Sequence, residues 1–203
     1  MLPVFCADIG SVQSGHFAWY GGPPEAETQG DSPASLADAV ASLLMAHRSV
    51  ALGFECPLFV PLPAEASQLA RAREGEGDRP WSAAAGAASL ATGLTQVPWI
   101  LRAIRATVRA PAFLKWADFQ HATFGLFLWE AFVSGSAKGP DHVRDARRAV
   151  EGFRKRLPDP SLHSAVKTPE AFSLIGAALL RTGWKTDPSV LSTSALVIRT
   201  GEK

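Results

Sequence analysis

Val4-Phe-Cys-Ala-Asp-Ile-Gly-Ser-Val-Gln-Ser-Gly-His-Phe-Ala-Trp-Tyr20 is the stretch that decides how this chain folds. It opens as an apolar run of strand formers, breaks at Gly10 and Ser11, and resumes after Gly15 as a short aromatic run, the pattern of a β-hairpin. Asp8 is out of place in it. A carboxylate inside a core strand costs several kcal/mol unless it is paired, hydrogen-bonded or bound to a cation. The same anomaly returns at Glu55 and Glu130, so the spacing of three acids along three apolar runs becomes the main functional signal.

Working outward, Gly21 to Ser32 reads as a turn-rich connection, and Ser32-Pro33 as an N-cap followed by proline at the first helical position. Leu36, Val40, Leu43, Leu44 and His47 then recur at helical spacing. Val50-Ala-Leu-Gly-Phe-Glu-Cys-Pro57 is a second apolar strand, which a helical crossover lays parallel beside the first. That arrangement puts Asp8 and Glu55 on neighbouring strands.

From Ala64 to Ala122 the pattern is helical. The expected elements are a helix over Glu65 to Arg73, a charged glycine loop over Gly75 to Pro80, and helices over Trp81 to Leu94 and Pro98 to Arg109. Arg71, Arg73, Arg79, Arg102, Arg105 and Arg109 fall in this block, as a solvated face or as a phosphate-facing rim. Phe124 to Val133 is the next strand, with Glu130 on the same face as Leu126, Leu128 and Phe132. A turn over Gly135 to Pro140 leads to a helix with Val143, Ala146, Val150, Phe153 and Leu157 on one face and six basic residues on the other. A last helix is expected over Pro169 to Arg181, with Thr168 as N-cap and Glu170 in its first turn, and Ala195 to Arg199 as a final strand.

The 203 residues suit one α/β domain, residues 1–203, with a helical insert at about 64–122. With 47% hydrophobic and 19% charged residues the composition is globular, and the net charge of +1 offers no global attraction to nucleic acid or anionic lipid. A nucleic-acid partner would have to be held by local arginine patches. Cys6 and Cys56 lie on apparent strands without ligand spacing, which suits reduced cytoplasmic thiols. No charged-then-apolar leader follows Met1 and no apolar run reaches spanning length, so a soluble, cytoplasmic, bacterial-type protein is expected, with no membrane partner.

Carboxylates converging at the end of a sheet are a site for a hard divalent cation, and magnesium is commonly held by one or two of them together with substrate phosphate. Two such ions can activate water and stabilise the leaving oxygen in phosphodiester cleavage. The competing reading is that each acid is separately satisfied by an arginine, a backbone amide or solvent.

Asp8-Ile-Gly-Ser11, the aromatic return Phe17-Ala-Trp-Tyr20, Gly53-Phe-Glu-Cys-Pro-Leu58, the arginine loop Gly77-Asp-Arg-Pro80 and Trp129-Glu-Ala-Phe-Val133 together resemble an uncharacterised family of predicted ribonuclease H-like nucleases. The resemblance covers most of the chain. It implies a mixed five-stranded sheet with flanking helices, hydrolysis dependent on magnesium or manganese, and metal-binding acids at Asp8, Glu55 and Glu130. Ser11 and Arg79 are the candidate phosphate contacts beside these acids. The family usually carries Asp where Glu55 stands, and a further acid in an Asp-Ala pattern at the start of its last helix. Glu170 occupies that segment here, whereas Asp145, in Val143-Arg-Asp-Ala-Arg147, reads as a surface ion pair with Arg144 and Arg148.

Two other readings stay open: a catalytically inactive module of the same fold, and a phosphotransferase of the actin-like or sugar-kinase type, whose first phosphate loop Asp8-Ile-Gly-Ser11 also resembles. Neither the P-loop nor the dinucleotide fingerprint occurs, and no histidine lies in a nucleophile-elbow pattern. His16 is the histidine nearest the proposed site, read as an exposed turn residue.

Overall fold

The computed structural model describes residues 1–77, 80–133, 141–168 and 170–200. It is an α/β structure built on a mixed sheet of seven strands with five α-helices. β1 (Val4–Asp8) pairs antiparallel with β2 (Ala18–Gly22), and β2 antiparallel with β3 (Thr28–Gly30). On its other side β1 runs parallel to β4 (Val50–Glu55), and β4 parallel to β7 (Leu126–Val133). The far edge of β7 is shared: β6 (Ala112–Phe113) pairs with its first residues and β9 (Leu196–Thr200) with its last, both parallel. β5 (Phe59–Pro61) and β8 (Ala171–Ser173) form a separate antiparallel pair.

The sheet thus has seven strands where five were expected. Thr28–Gly30 and Ala112–Phe113 are too short to carry a period-two signal, so the added pair could not be read from pattern. Helices cover both faces, and that is why the parallel strands read as continuous apolar runs rather than alternating ones.

One face takes Phe5, Ala7, Leu52, Phe54, Leu126 and Leu128 against α1 (Pro33–Met45), α2 (Ala84–Thr107) and α5 (Leu174–Arg181). The other takes Val4, Cys6, Ala51, Phe127 and Trp129 against α3 (Trp116–His121) and α4 (His142–Arg154). Each large side chain removed from water in these layers contributes roughly 1.5–3 kcal/mol. At Gly53 the backbone must stay bare, because a Cβ there would lie 2.4 Å from the Trp129 ring.

α1 follows the sequence signals closely: the Ser32 hydroxyl accepts from the Ala34 amide, Pro33 starts the helix, and Leu36, Val40 and Leu44 are buried. Elsewhere local pattern is overruled. Only a single 3-10 turn, Ala66–Gln68, forms where a helix over 65–73 was expected. Residues 84–107 make one helix through Pro98 instead of two. An interior proline costs about 3 kcal/mol, offset here because Val97, Ile100, Leu101 and Ile104 on both sides of it are buried. The final helix begins at Leu174, capped by the Ser173 hydroxyl, because the three residues before it are taken up as β8. The turn expected at 135–140 lies outside the described residues. No described helix is long and apolar enough to cross a membrane.

Candidate metal centre

Strand phase decides which acids meet. Asp8 ends β1 directly beside Glu55 at the end of β4, and both follow the series that faces α4: Val4, Cys6, Asp8 on one strand and Ala51, Gly53, Glu55 on the other. α4 crosses this face with its first turn at the carboxyl ends of those strands. Its N-cap Asp141 accepts from the Arg144 amide at 2.8 Å, which fixes the helix start and turns Asp145 inward. Asp145 is 4% exposed. One oxygen each of Asp8, Glu55 and Asp145 lies within 4.8 Å of the others. Asp145 is therefore buried in the acidic cluster rather than at the surface where its arginine neighbours suggested it would lie.

Glu130 belongs to the other face. It pairs across from Phe54, one residue out of phase with Glu55, so its carboxylate points toward the α1/α2 side. There Arg73 meets it with two hydrogen bonds of 2.9 and 2.7 Å, and the Leu58 amide donates at 2.9 Å. Arg73 also clamps Glu76 through Nε and Nη2, donates to the Phe59 carbonyl, and lies over the Phe59 ring. Burial works against the Arg73 charge, but Glu130 and Glu76 outweigh it and raise its pKa. This arginine, read from sequence as part of a solvated or phosphate-facing block, is a core residue.

Above the cluster a cleft of about 740 Å³ is lined by Asp8, Glu55, Ser11, His16, His142 and the first turns of α2. The buried Glu130, Arg73 and Glu76 also line it. The entrance is set by the turn after β1. A Cβ on Gly10 would lie 2.1 Å from the His16 carbonyl, and the His16 amide closes the turn on Ser11 at 2.8 Å. Ser11 is exposed, with its hydroxyl bonded to Ser14. His142 Nδ1 lies 2.6 Å from Asp8 Oδ2, and its ring sits 5.4 Å from that of His16.

Glu170 is exposed and does not line the cleft; its carbonyl accepts from the Leu62 amide and the Thr168 hydroxyl. Arg79 lies outside the described residues. His142, Arg73 and Glu76 carried no recognisable signal, since each is set by tertiary contact. Asp145 did carry one, the Asp-Ala pair, masked by its flanking arginines.

Cys6 and Cys56 are free and buried. Burial foremost, with Glu55 beside both thiols, pushes their pKa values well up, which suits packed side chains. The basic side of α4 is largely tied down internally. Arg147 meets Glu151, Arg154 meets Glu27 and the Gly22 carbonyl, and Arg156 donates to the Gly152 and Arg199 carbonyls.

Oxygen-only donors at this spacing suit a hard divalent cation. No family model, curated protein or solved structure matches the chain.

Proposed function

We propose that this chain is a ribonuclease H-like hydrolase of phosphodiesters that works with magnesium or manganese. The observation that carries the reading is the meeting of Asp8, Glu55 and Asp145, from two adjacent parallel strands and the helix after β7, with Asp8 and Glu55 lining an open cleft. A mixed sheet with β2 reversed against β1, and with β4 and β7 parallel to it, fits that fold class. Asp145-Ala146 supplies an acid in an Asp-Ala pattern like the one the sequence resemblance calls for, on α4 rather than on the last helix.

In this reading Asp8, Glu55 and Asp145 are the ligands. A cation held by these residues would supply Lewis-acid chemistry at neutral pH. His142 orients Asp8 from the solvent side, and Ser11 at the rim is placed to contact a phosphate oxygen. Glu130 keeps a supporting role: through Arg73 and the Leu58 amide it holds the chain directly after Glu55. The cleft is open enough for a substrate to enter beside α2, while the internal pairing of the α4 arginines leaves nucleic acid as one candidate substrate among phosphodiesters.

The test is calorimetric titration of manganese into the protein, followed by hydrolysis of bis-p-nitrophenyl phosphate and of a short single-stranded oligonucleotide. Manganese binding with cation-dependent turnover of either substrate supports the proposal. Binding without turnover reduces it to a metal-binding module of the same fold, and no binding by a folded protein removes it.

A further inference from the structure

A second cavity opens on the other side of the Cys56-Pro57 segment, away from the acids. It is a groove of about 280 Å³ between α2 and α5. Leu90, Leu94, Val97, Phe172 and Ile175 are among the apolar residues that line it. Two of these, Leu94 at 54% and Phe172 at 42% exposure, stand open to solvent as large hydrophobic side chains. Gly93 lets α2 approach closely enough to form the floor, since a Cβ there would lie 2.7 Å from Cys56 Sγ.

One charged residue among the described residues touches the groove. Arg181, in the last turn of α5, lies on its edge, is exposed, and makes no ion pair or hydrogen bond among the described residues. Among the described residues no acidic side chain lines the groove. The contrast with the α4 arginines, most of which hold a carboxylate or carbonyl of their own chain, is informative: here a guanidinium with all its donors available borders an apolar slot. Ligand pockets are built in this way, with mostly apolar walls and a few polar groups that set orientation. A guanidinium matches a carboxylate in shape and charge.

We infer that this groove binds an aliphatic monocarboxylate of medium chain length, with its alkyl chain along Leu94, Val97 and Ile175 and its carboxylate on Arg181. The two halves of the ligand answer two separate features: the chain covers apolar surface otherwise left in water, and the head pairs the open cation. The site shares only Cys56 and Pro57 with the acidic cleft, and it stands whether or not that cleft hydrolyses phosphodiesters.

The experiment is titration of octanoate, with octylamine as the matched cation, into the wild-type protein and into Arg181→Glu and Leu94→Gln. Both substitutions are at exposed positions, and circular dichroism checks that each variant is folded. Octanoate is expected to bind the wild type saturably and octylamine not to. Arg181→Glu is expected to weaken octanoate by about tenfold or more, as for loss of a charge-assisted hydrogen bond, and Leu94→Gln to weaken it without restoring octylamine. Equal binding of both amphiphiles, unchanged affinity in Arg181→Glu, or no binding by a monomeric wild type would overturn the inference. Self-association that disappears in Leu94→Gln, with no octanoate binding, would assign the groove to a second copy of this chain and overturn it equally.

Discussion

Asp8 and Glu55 are register partners on adjacent parallel strands, whereas Glu130 is the partner of Phe54 and so faces the opposite side of the sheet. Two acids that look alike in sequence thereby take different work, and substitution separates them. Asp8→Asn and Asp145→Asn should each weaken manganese binding by more than the roughly 10–100-fold that loss of an outer-shell partner costs. Glu130→Gln should leave it within about tenfold of wild type. Calorimetry on the three variants checks this, and a larger loss in Glu130→Gln than in Asp145→Asn would reverse the assignment.

Glu130 should matter instead for folding. Its carboxylate and the Arg73 guanidinium are 2% and 1% exposed, so Glu130→Ala leaves a buried cation short of its main partner. A loss of about 3–5 kcal/mol is expected in urea denaturation. The pair replacement Arg73→Met with Glu130→Leu should cost much less than Glu130→Ala alone, because no buried charge is then left unpaired.

Stability should also fall at alkaline pH through the two thiols. Burial raises the pKa of Cys6 and Cys56 in the folded state. Their contribution is full below the unfolded thiol value, about 8.5, and is lost as pH rises through the folded value. The urea midpoint should decline above that pH, and less steeply in Cys6→Ala. In the native protein neither thiol should react with a thiol-specific reagent at neutral pH, and both should react in urea.

On the acid side the sign is opposite. Although burial alone would raise it, Glu27 is held below the usual carboxylate range by hydrogen bonds from Tyr20 and Arg154. Its contribution is present above the unfolded Glu pKa and is lost as pH falls through the depressed one. The β2–β3 hairpin should loosen first on acidification, seen as faster amide exchange at Tyr20 and Thr28 than at Leu52. Glu27→Gln should abolish that difference in pH response.

Much of the sheet was legible because its strands are long apolar runs bounded by glycine or proline. Val4–Asp8, Val50–Glu55 and Leu126–Val133 could be read directly, and so could α1, whose cap and stripe agree. The phase of one strand relative to its neighbours was not legible. Glu130 could be put on the face of Leu126 and Leu128 within its own strand, but with both faces buried nearly every other strand position is apolar, and nothing local reports which face that is relative to Asp8 and Glu55. Asp145 was obscured for a related reason: a residue flanked by arginines looks solvent-facing until α4 is known to start at Asp141 and lie on β1 and β2. Arg73 shows the limit of reading charge as surface, because its two acids lie three and fifty-seven residues away. The proline rule failed at Pro98 because burial around it outweighed the lost hydrogen bond.

The carboxylates of Asp8, Glu55 and Asp145 reach one another only when the first strand, the central strand and a helix late in the chain are all docked. Such long-range closure is the slow part of forming a topology of this kind. Any cation held there would therefore recognise the finished fold and no earlier species, acting as a lock on the native state rather than as a template for it. Added manganese should slow unfolding while leaving the rate of refolding unchanged.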